Sequence, residues 1–337
     1  MLCGWKGVGR AGLRPLLARG PEGALKALRE TSPDGEPGPD ITADLDRTIA
    51  EASVSATHIG RPDYPPLLAA APDPPAALFY TGDISVLSRF PCVAVIGSRR
   101  CSIYGRRMAR RLAGGLASAG MCVVSGMARG IDGESHAGAL AGGGATAAVL
   151  GSGPDVLYPR RNASLAEEIR RKGCVLSEYP PGTSPEPFRF PERNRIISGV
   201  SLGVVVVEAG SRSGTMITVG TALDQGREVM AVPGDATRPT AAGSNRLLRE
   251  GAAPVTTAEE VLEVLGVAPR RAEGGQGPEE PQGLAGTILG MLDDGPAHVD
   301  ELARATGAGP GELREQLLRL ELAGYVIQRP GGVYARV

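Results

Sequence analysis

Two short segments carry residue types suited to holding an anion. Val93-Ala94-Val95-Ile96-Gly97-Ser98-Arg99 and Ser125-Gly126-Met127-Ala128-Arg129-Gly130-Ile131-Asp132 each run into glycine, serine and arginine, and a helical pattern follows each. Glycine lets backbone amides approach an anion closely, and a helix start adds unpaired N–H groups and the positive end of its dipole. Serine and arginine bind phosphate by hydrogen bonds and a charged fork without chemistry on it. The theme returns at Tyr158-Pro159-Arg160-Arg161-Asn162, at Arg193-Asn194-Arg195, and at Ser211-Arg212-Ser213-Gly214-Thr215, where another helix opens. The set predicts a phosphate-binding surface longer than one nucleotide. Two readings stay open for Arg193 and Arg195: contact with phosphate, or pairing with Glu178 or Glu208. Asp132 and His136 are expected to cap and orient their loop rather than to serve as an acid/base pair.

Several other chemistries lack their residues. There is no GxxxxGK[ST] run, and the first turn, Gly97-Ser-Arg-Arg-Cys-Ser-Ile-Tyr-Gly105, is not GxGxxG. The five cysteines (3, 92, 101, 122, 174) form no CxxC pair and the three histidines (58, 136, 298) are far apart, so no metal and no cofactor is expected. No apolar run suits a secretory signal or a membrane span, which predicts a cytoplasmic chain without membrane contact. The formal net charge of −1 hides an uneven distribution. Between Gly97 and Gly130 there are seven arginines (99, 100, 106, 107, 110, 111, 129) and no acid. A solvated helix face accounts for Arg106 to Arg111 better than for Arg99 and Arg129 in their loops.

Positioning these loops falls to an alternation of strands and helices. Cys92–Gly97, Met121–Gly126, Thr146–Gly151, Cys174–Glu178, Gly203–Glu208 and Glu228–Val232 read as strands. Met108, Leu112 and Leu116, like Leu165 and Ile169, fall at helical spacing. Strands apolar on both faces and separated by helices predict an α/β fold with a parallel sheet covered on both sides, and such sheets bind ligands at the carboxyl ends of their strands. The core is expected over 41–266. Before it come a short helical segment, 1–30, containing Gly7-Val8-Gly9, and a Pro/Gly/acid-rich linker, 31–40. After it come a polar tether, 267–283, and a winged helix over 284–337: helices at Leu284–Leu292, Val299–Thr306 and Gly311–Ala323, then a hairpin around Gly331-Gly332. The third of these helices mixes Glu312, Glu315 and Glu321 with Arg314 and Arg319, which favours protein contact over reading a DNA groove.

Together these motifs give a chain that resembles the DprA/Smf family of DNA-processing proteins. The resemblance rests on Asp63-Tyr-Pro-Pro-Leu-Leu, Ala77-Leu-Phe-Tyr-Thr-Gly82, VAVIGSR with Tyr104-Gly105, and SGMARGID with His136. It continues through Tyr158-Pro159, Ser177-Glu178-Tyr179-Pro180, RNRIIS, VVVVEA, SGT, Val232-Pro233-Gly234, Gly243-Ser-Asn245 and Glu250-Gly-Ala252. It implies an extended Rossmann-like core that binds single-stranded DNA, protects incoming strands and loads the RecA recombinase in natural transformation, acting as a homodimer and not as an enzyme. The strand-binding residues it implies are Gly97, Ser98, Arg99, Ser125, Gly126, Arg129 and Gly130, with Asn162 and a basic residue at Arg160 or Arg161. Against the family, the N-terminal helical segment is short and starts abruptly at Met1-Leu2-Cys3-Gly4-Trp5, and two readings stay open: a missing first helix, or a misassigned start codon. The rival reading is a nucleoside-monophosphate phosphoribohydrolase, whose Pro-Gly-Gly-x-Gly-Thr-x-x-Glu motif compares with Gly210–Thr218. Thr218 stands where that chemistry needs a carboxylate. A transcription regulator would need a basic recognition helix, which this chain lacks.

Overall fold

The structure, a computed structural model, describes residues 51–211, 213–269, 281–293, 295–322 and 325–336. The expected segments 1–30 and 31–40, most of the tether, and Arg212 lie outside the described residues. The chain divides into two compact units, Met1–Gly275 and Gln276–Val337.

In the first unit the strands are β1 (Ser55–His58), β2 (Ala77–Gly82), β3 (Cys92–Gly97), β4 (Cys122–Ser125), β5 (Thr146–Val149), β6 (Cys174–Ser177), β7 (Gly203–Glu208), β8 (Glu228–Ala231) and β9 (Ala253–Pro254). They form one sheet in the order β1-β2-β6-β5-β4-β3-β7-β8-β9. From β6 to β9 every pairing is parallel, while β1 and β2 add an antiparallel edge that the alternation of strands and helices did not predict. The helices are α1 (Pro66–Ala69), α2 (Val86–Arg89), α3 (Ile103–Ser118), α4 (Ile131–Ala141), α5 (Ala163–Lys172), α6 (Arg189–Gly199), α7 (Thr215–Asp224), α8 (Ala242–Arg249) and α9 (Ala258–Leu265).

Successive residues of a strand face opposite sides of the sheet, and both sides are apolar here. Val93 and Val95 of β3 pack with Met108, Leu112 and Leu116 of α3 and Val261 of α9. Ala94 and Ile96 pack with Ile196 and Ile197 of α6, Val219 of α7 and Leu247 of α8. From β3 the chain winds one way through β4, β5 and β6 and then returns to add β7, β8 and β9 on the other side. The winding reverses between β3 and β7, and the loops after these strands therefore diverge and leave a crevice at the sheet's carboxyl edge.

The second unit has α10 (Leu284–Asp293), β10 (Ala297–His298), α11 (Val299–Thr306), α12 (Pro310–Leu322), β11 (Val326–Arg329) and β12 (Val333–Arg336), with a sheet in the order β10-β12-β11. Ile288, Leu292, Leu302, Leu313, Leu317 and Leu320 make its own core. Gly331 and Gly332 turn the hairpin at φ 85° and 75°, a conformation that suits glycine. This is the expected winged helix.

Candidate nucleic-acid interface

The crevice after β3 and β7 is an open pocket of about 630 Å³. Gly97, Ser98, Arg99 and Arg100 line one side, Ser213, Gly214 and Thr215 another, and Asp132, Arg193 and Asn194 also line it. Tyr158, Pro187, Phe190 and Pro191 add an apolar and aromatic wall. Arg99 and Arg100 are exposed, whereas Arg193 is only 3% exposed.

Each loop is held from behind. The Ser98 amide donates to the Glu208 carbonyl at 2.7 Å, and the Arg100 amide donates to Ser98 Oγ at 3.1 Å. Gly130, at φ 79°, passes so near the first loop that a Cβ there would lie 2.4 Å from the Ser98 carbonyl oxygen, so the two glycine loops brace each other. At Gly126 a Cβ would lie 2.4 Å from Arg193 Nη1. That nitrogen donates to the Gly126 carbonyl at 2.8 Å and to the Val149 carbonyl. Asn162 Nδ2 donates at 2.9 Å to the carbonyl of Met127, a non-glycine residue held at φ 57°. The Thr215 amide donates to Ser213 Oγ at 3.2 Å, and Ser213 Oγ lies 2.9 Å from Thr215 Oγ1.

Burial shapes the charge of the floor. It pushes the Asp132 carboxyl up from the ordinary range, against the Arg193 charge and the Ala128 amide that favour the ionised form. It also lowers the Arg193 guanidinium to about 10, which leaves it protonated at neutral pH. The exposed guanidinium of Arg99 lies over the Phe190 ring, 5.2 Å from its centroid, and the Tyr158 ring lies 5.8 Å beyond at 40°. A cation on one ring beside a second ring gives this wall both an exposed guanidinium and a π-face.

The matches to known proteins agree with the sequence motifs. Residues 55–266 match the family model described as DNA recombination-mediator protein A, and residues 271–332 match the DprA winged helix domain. The chain is 43% identical over 282 residues to Protein Smf of Escherichia coli (strain K12), covering 81% of this chain and 75% of that protein. It is 41% identical over 224 residues to DNA processing protein DprA of Bacillus subtilis (strain 168), covering 66% and 75%. The chain belongs to the DprA/Smf family. Among solved structures, DprA from Streptococcus pneumoniae superposes with a TM-score of 0.67 at 37% identity, covering 76% of this chain and 93% of that one. DprA from Helicobacter pylori, described for its single-stranded DNA binding mode, gives 0.57 at 29% identity, covering 63% and 95%.

Within this DprA core, the residues singled out from sequence, Arg195 apart, divide into three groups. Gly97, Ser98, Arg99, Arg193, Asn194, Ser213, Gly214 and Thr215 meet in the pocket. Ser125, Gly126, Gly130 and Asn162 stand behind it; Ser125 is fully buried and donates to the Val95 carbonyl at 2.7 Å. Arg129, Arg160 and Arg161 are exposed outside the pocket lining, the last two on the 3₁₀ turn Arg160–Asn162.

Arg195 turns away from the pocket, a correction to its place among the phosphate-binding candidates. Its Nη2 pairs with the carboxylate of half-buried Glu178, its Nη1 donates to the Asp73 carbonyl at 2.6 Å, and its Nε lies 3.3 Å from Asp73 Oδ2. Residues two apart on a helix point about 200° away from each other, so Arg193 and Arg195 could not both face the pocket.

Glu208 pairs with neither arginine. Its carboxylate accepts from the Ser102 amide at 3.1 and 3.2 Å and from the Ser102 hydroxyl at 2.7 Å, at the start of α3. The Gly105 amide is taken by Ser102 Oγ at 3.0 Å. The first loop therefore presents its own groups, and not these α3 amides, to an anion, contrary to the expected use of both helix starts. Asp132 does orient its loop, accepting from the Ala128 amide at 3.3 Å. His136 does not: it is wholly buried, 2.7 Å from Thr146 Oγ1, and burial pushes it down to about 3. Thr218 lines the pocket at the position compared with a catalytic carboxylate. Sequence reasoning passed over the aromatic wall; the cluster Phe188-Arg-Phe-Pro before RNR was the available signal.

Among the described residues no group of three His, Cys, Asp or Glu is placed to hold a metal, and no helix is long and apolar enough to cross a membrane.

Proposed function

We propose that this sheet edge binds single-stranded DNA without sequence preference, protects it, and hands it to a RecA-type recombinase, with the chain acting as a homodimer. The observation that carries the reading is the pairing of Arg99 with Phe190 at the mouth of the pocket. Arg99, Ser98 and the Ser213–Thr215 turn offer donors to phosphates, Arg193 adds a fixed buried charge, and the faces of Phe190 and Tyr158 offer stacking to bases that a duplex keeps internal. Arg129 and one of Arg160 and Arg161 take further phosphates along the rim. The Helicobacter pylori relative, described for single-stranded DNA binding, supports this reading.

The test is nuclease protection of a labelled single strand by the full chain, followed by recombinase filament assembly on the protected strand. Protection with faster filament assembly is expected. A strand degraded as fast as free DNA overturns the binding reading. Protection without faster assembly overturns the hand-over alone.

A further inference from the structure

We propose that the outward face of α3 carries the single strand onward from the pocket, with Arg106, Arg107 and Arg111 taking its phosphates; this rests on the single-strand reading of the pocket. Arg99 and Arg100 line that pocket, and the helix begins at Ile103, with Cys101 and Ser102 between. Ile103 and Tyr104 line a second hollow beside Glu208 and Pro233, so the arginines of α3 follow those of the pocket along the chain. Its inner face is fixed by Met108, Leu112 and Leu116 in the core. Gly138 of α4 packs so closely that a Cβ there would lie 2.3 Å from the Arg110 carbonyl oxygen. The result is a rigid rod of 16 residues, about 24 Å long.

Local stability does not account for the charges on that rod. Arg106 with Arg110, and Arg107 with Arg111, are like-charge pairs at i,i+4, which repel. Arg106 and Arg107 also sit near the positive end of the helix dipole, where cations are disfavoured. α3 contains no acid to offset them. Arg110 alone is compensated, by Glu134 of α4 at 2.9 Å. Arg106, Arg107 and Arg111 are exposed and have no ion-pair partner among the described residues. A helix that sustains such repulsion beside a phosphate-type pocket is suited to a polyanion; along its axis Arg106 and Arg107 lie about 1.5 Å apart and Arg111 about 6 Å beyond Arg107. The occupant that fits is the same strand, continuous with the pocket.

The test uses the full chain and two oligothymidines, of about 5 and about 20 nucleotides, titrated over a range of salt. Replacing Arg106, Arg107 and Arg111 together by alanine should leave the short strand's affinity within about twofold. It should weaken the long strand about tenfold and flatten its salt slope by about 2, at about 0.7 for each phosphate that is no longer neutralised. Replacing the same three by lysine should restore most of the long strand's affinity. The proposal is overturned if the alanine protein binds the long strand like the wild type, or if both strands lose affinity equally. Unchanged DNA binding with loss of an acidic protein partner would also overturn it. If the wild-type protein binds neither strand, the pocket reading itself fails, and that outcome is distinguishable from the others.

Discussion

The core's sheet edge and the winged helix use the same charged side chains to opposite ends. In the core, seven arginines between Gly97 and Gly130 meet no acid within that stretch, and Arg99 is left exposed over an aromatic ring. In the winged helix the charges answer each other. Arg319 pairs with Glu315 at 2.6 Å, Glu321 accepts from the Gln328 amide at 3.2 Å, and Arg336 pairs with Asp293 at 2.6 Å. A fold that binds duplex DNA in many proteins is here charge-balanced on its third helix, and the uncompensated field belongs to the sheet edge. Overall net charge therefore says little about partners; the local ratio of arginine to acid says more.

The sharpest way to separate a structural arginine from a binding one is Arg195→Ala. It leaves the largely covered Glu178 carboxylate without this guanidinium, and a loss of about 3 kcal/mol in unfolding free energy is expected. Single-strand affinity of the fraction that stays folded should not change. Arg99→Ala should do the reverse: melting temperature held, and single-strand binding weakened by about 1.5–3 kcal/mol through loss of a charge-assisted hydrogen bond. If both substitutions act on the same quantity, the arginines do not divide into structural and binding sets. Phe190→Ala tests the aromatic wall and should cost about 1–3 kcal/mol of affinity, with Phe190→Trp retaining binding. Equal binding by the alanine protein would mean that bases do not stack on this wall.

A smaller effect concerns the floor. The raised Asp132 carboxyl takes up its proton above the ordinary carboxylate range, and protonation removes a negative charge from the pocket. Affinity should therefore rise a few-fold as pH falls toward that range, and Asp132→Asn should flatten the trend. The smallest effect is on the other side of the comparison. Removing 283–337 should change core single-strand affinity by about 1 kcal/mol or less. A much larger loss would place the winged helix in the DNA site despite its balanced charge.

How much of this was legible in the sequence follows from which interactions are local. β3 and β7 have the predicted bounds because strands apolar on both faces stand out against their flanks. The antiparallel edge escaped because Ser55-Ala-Thr-His is short and weakly patterned, and its partner β2 is placed by pairing with β6. The glycine and serine turns were readable because their chemistry lies in consecutive residues. Glu208 at the start of α3 was not: it lies 106 positions from Ser102 and meets it only because β3 and β7 are neighbours. The aromatic wall was hidden in the same way, since Phe190 reaches Arg99 across 91 positions through the docking of α6.

The central claim is that this pocket takes unpaired strands. Its most direct test is an equilibrium titration of the full chain with a single strand and with a duplex of equal length, repeated across salt concentrations. Much tighter binding of the single strand is predicted, with affinity falling at a slope of about −0.7 per phosphate neutralised. Equal affinity for the duplex would contradict it.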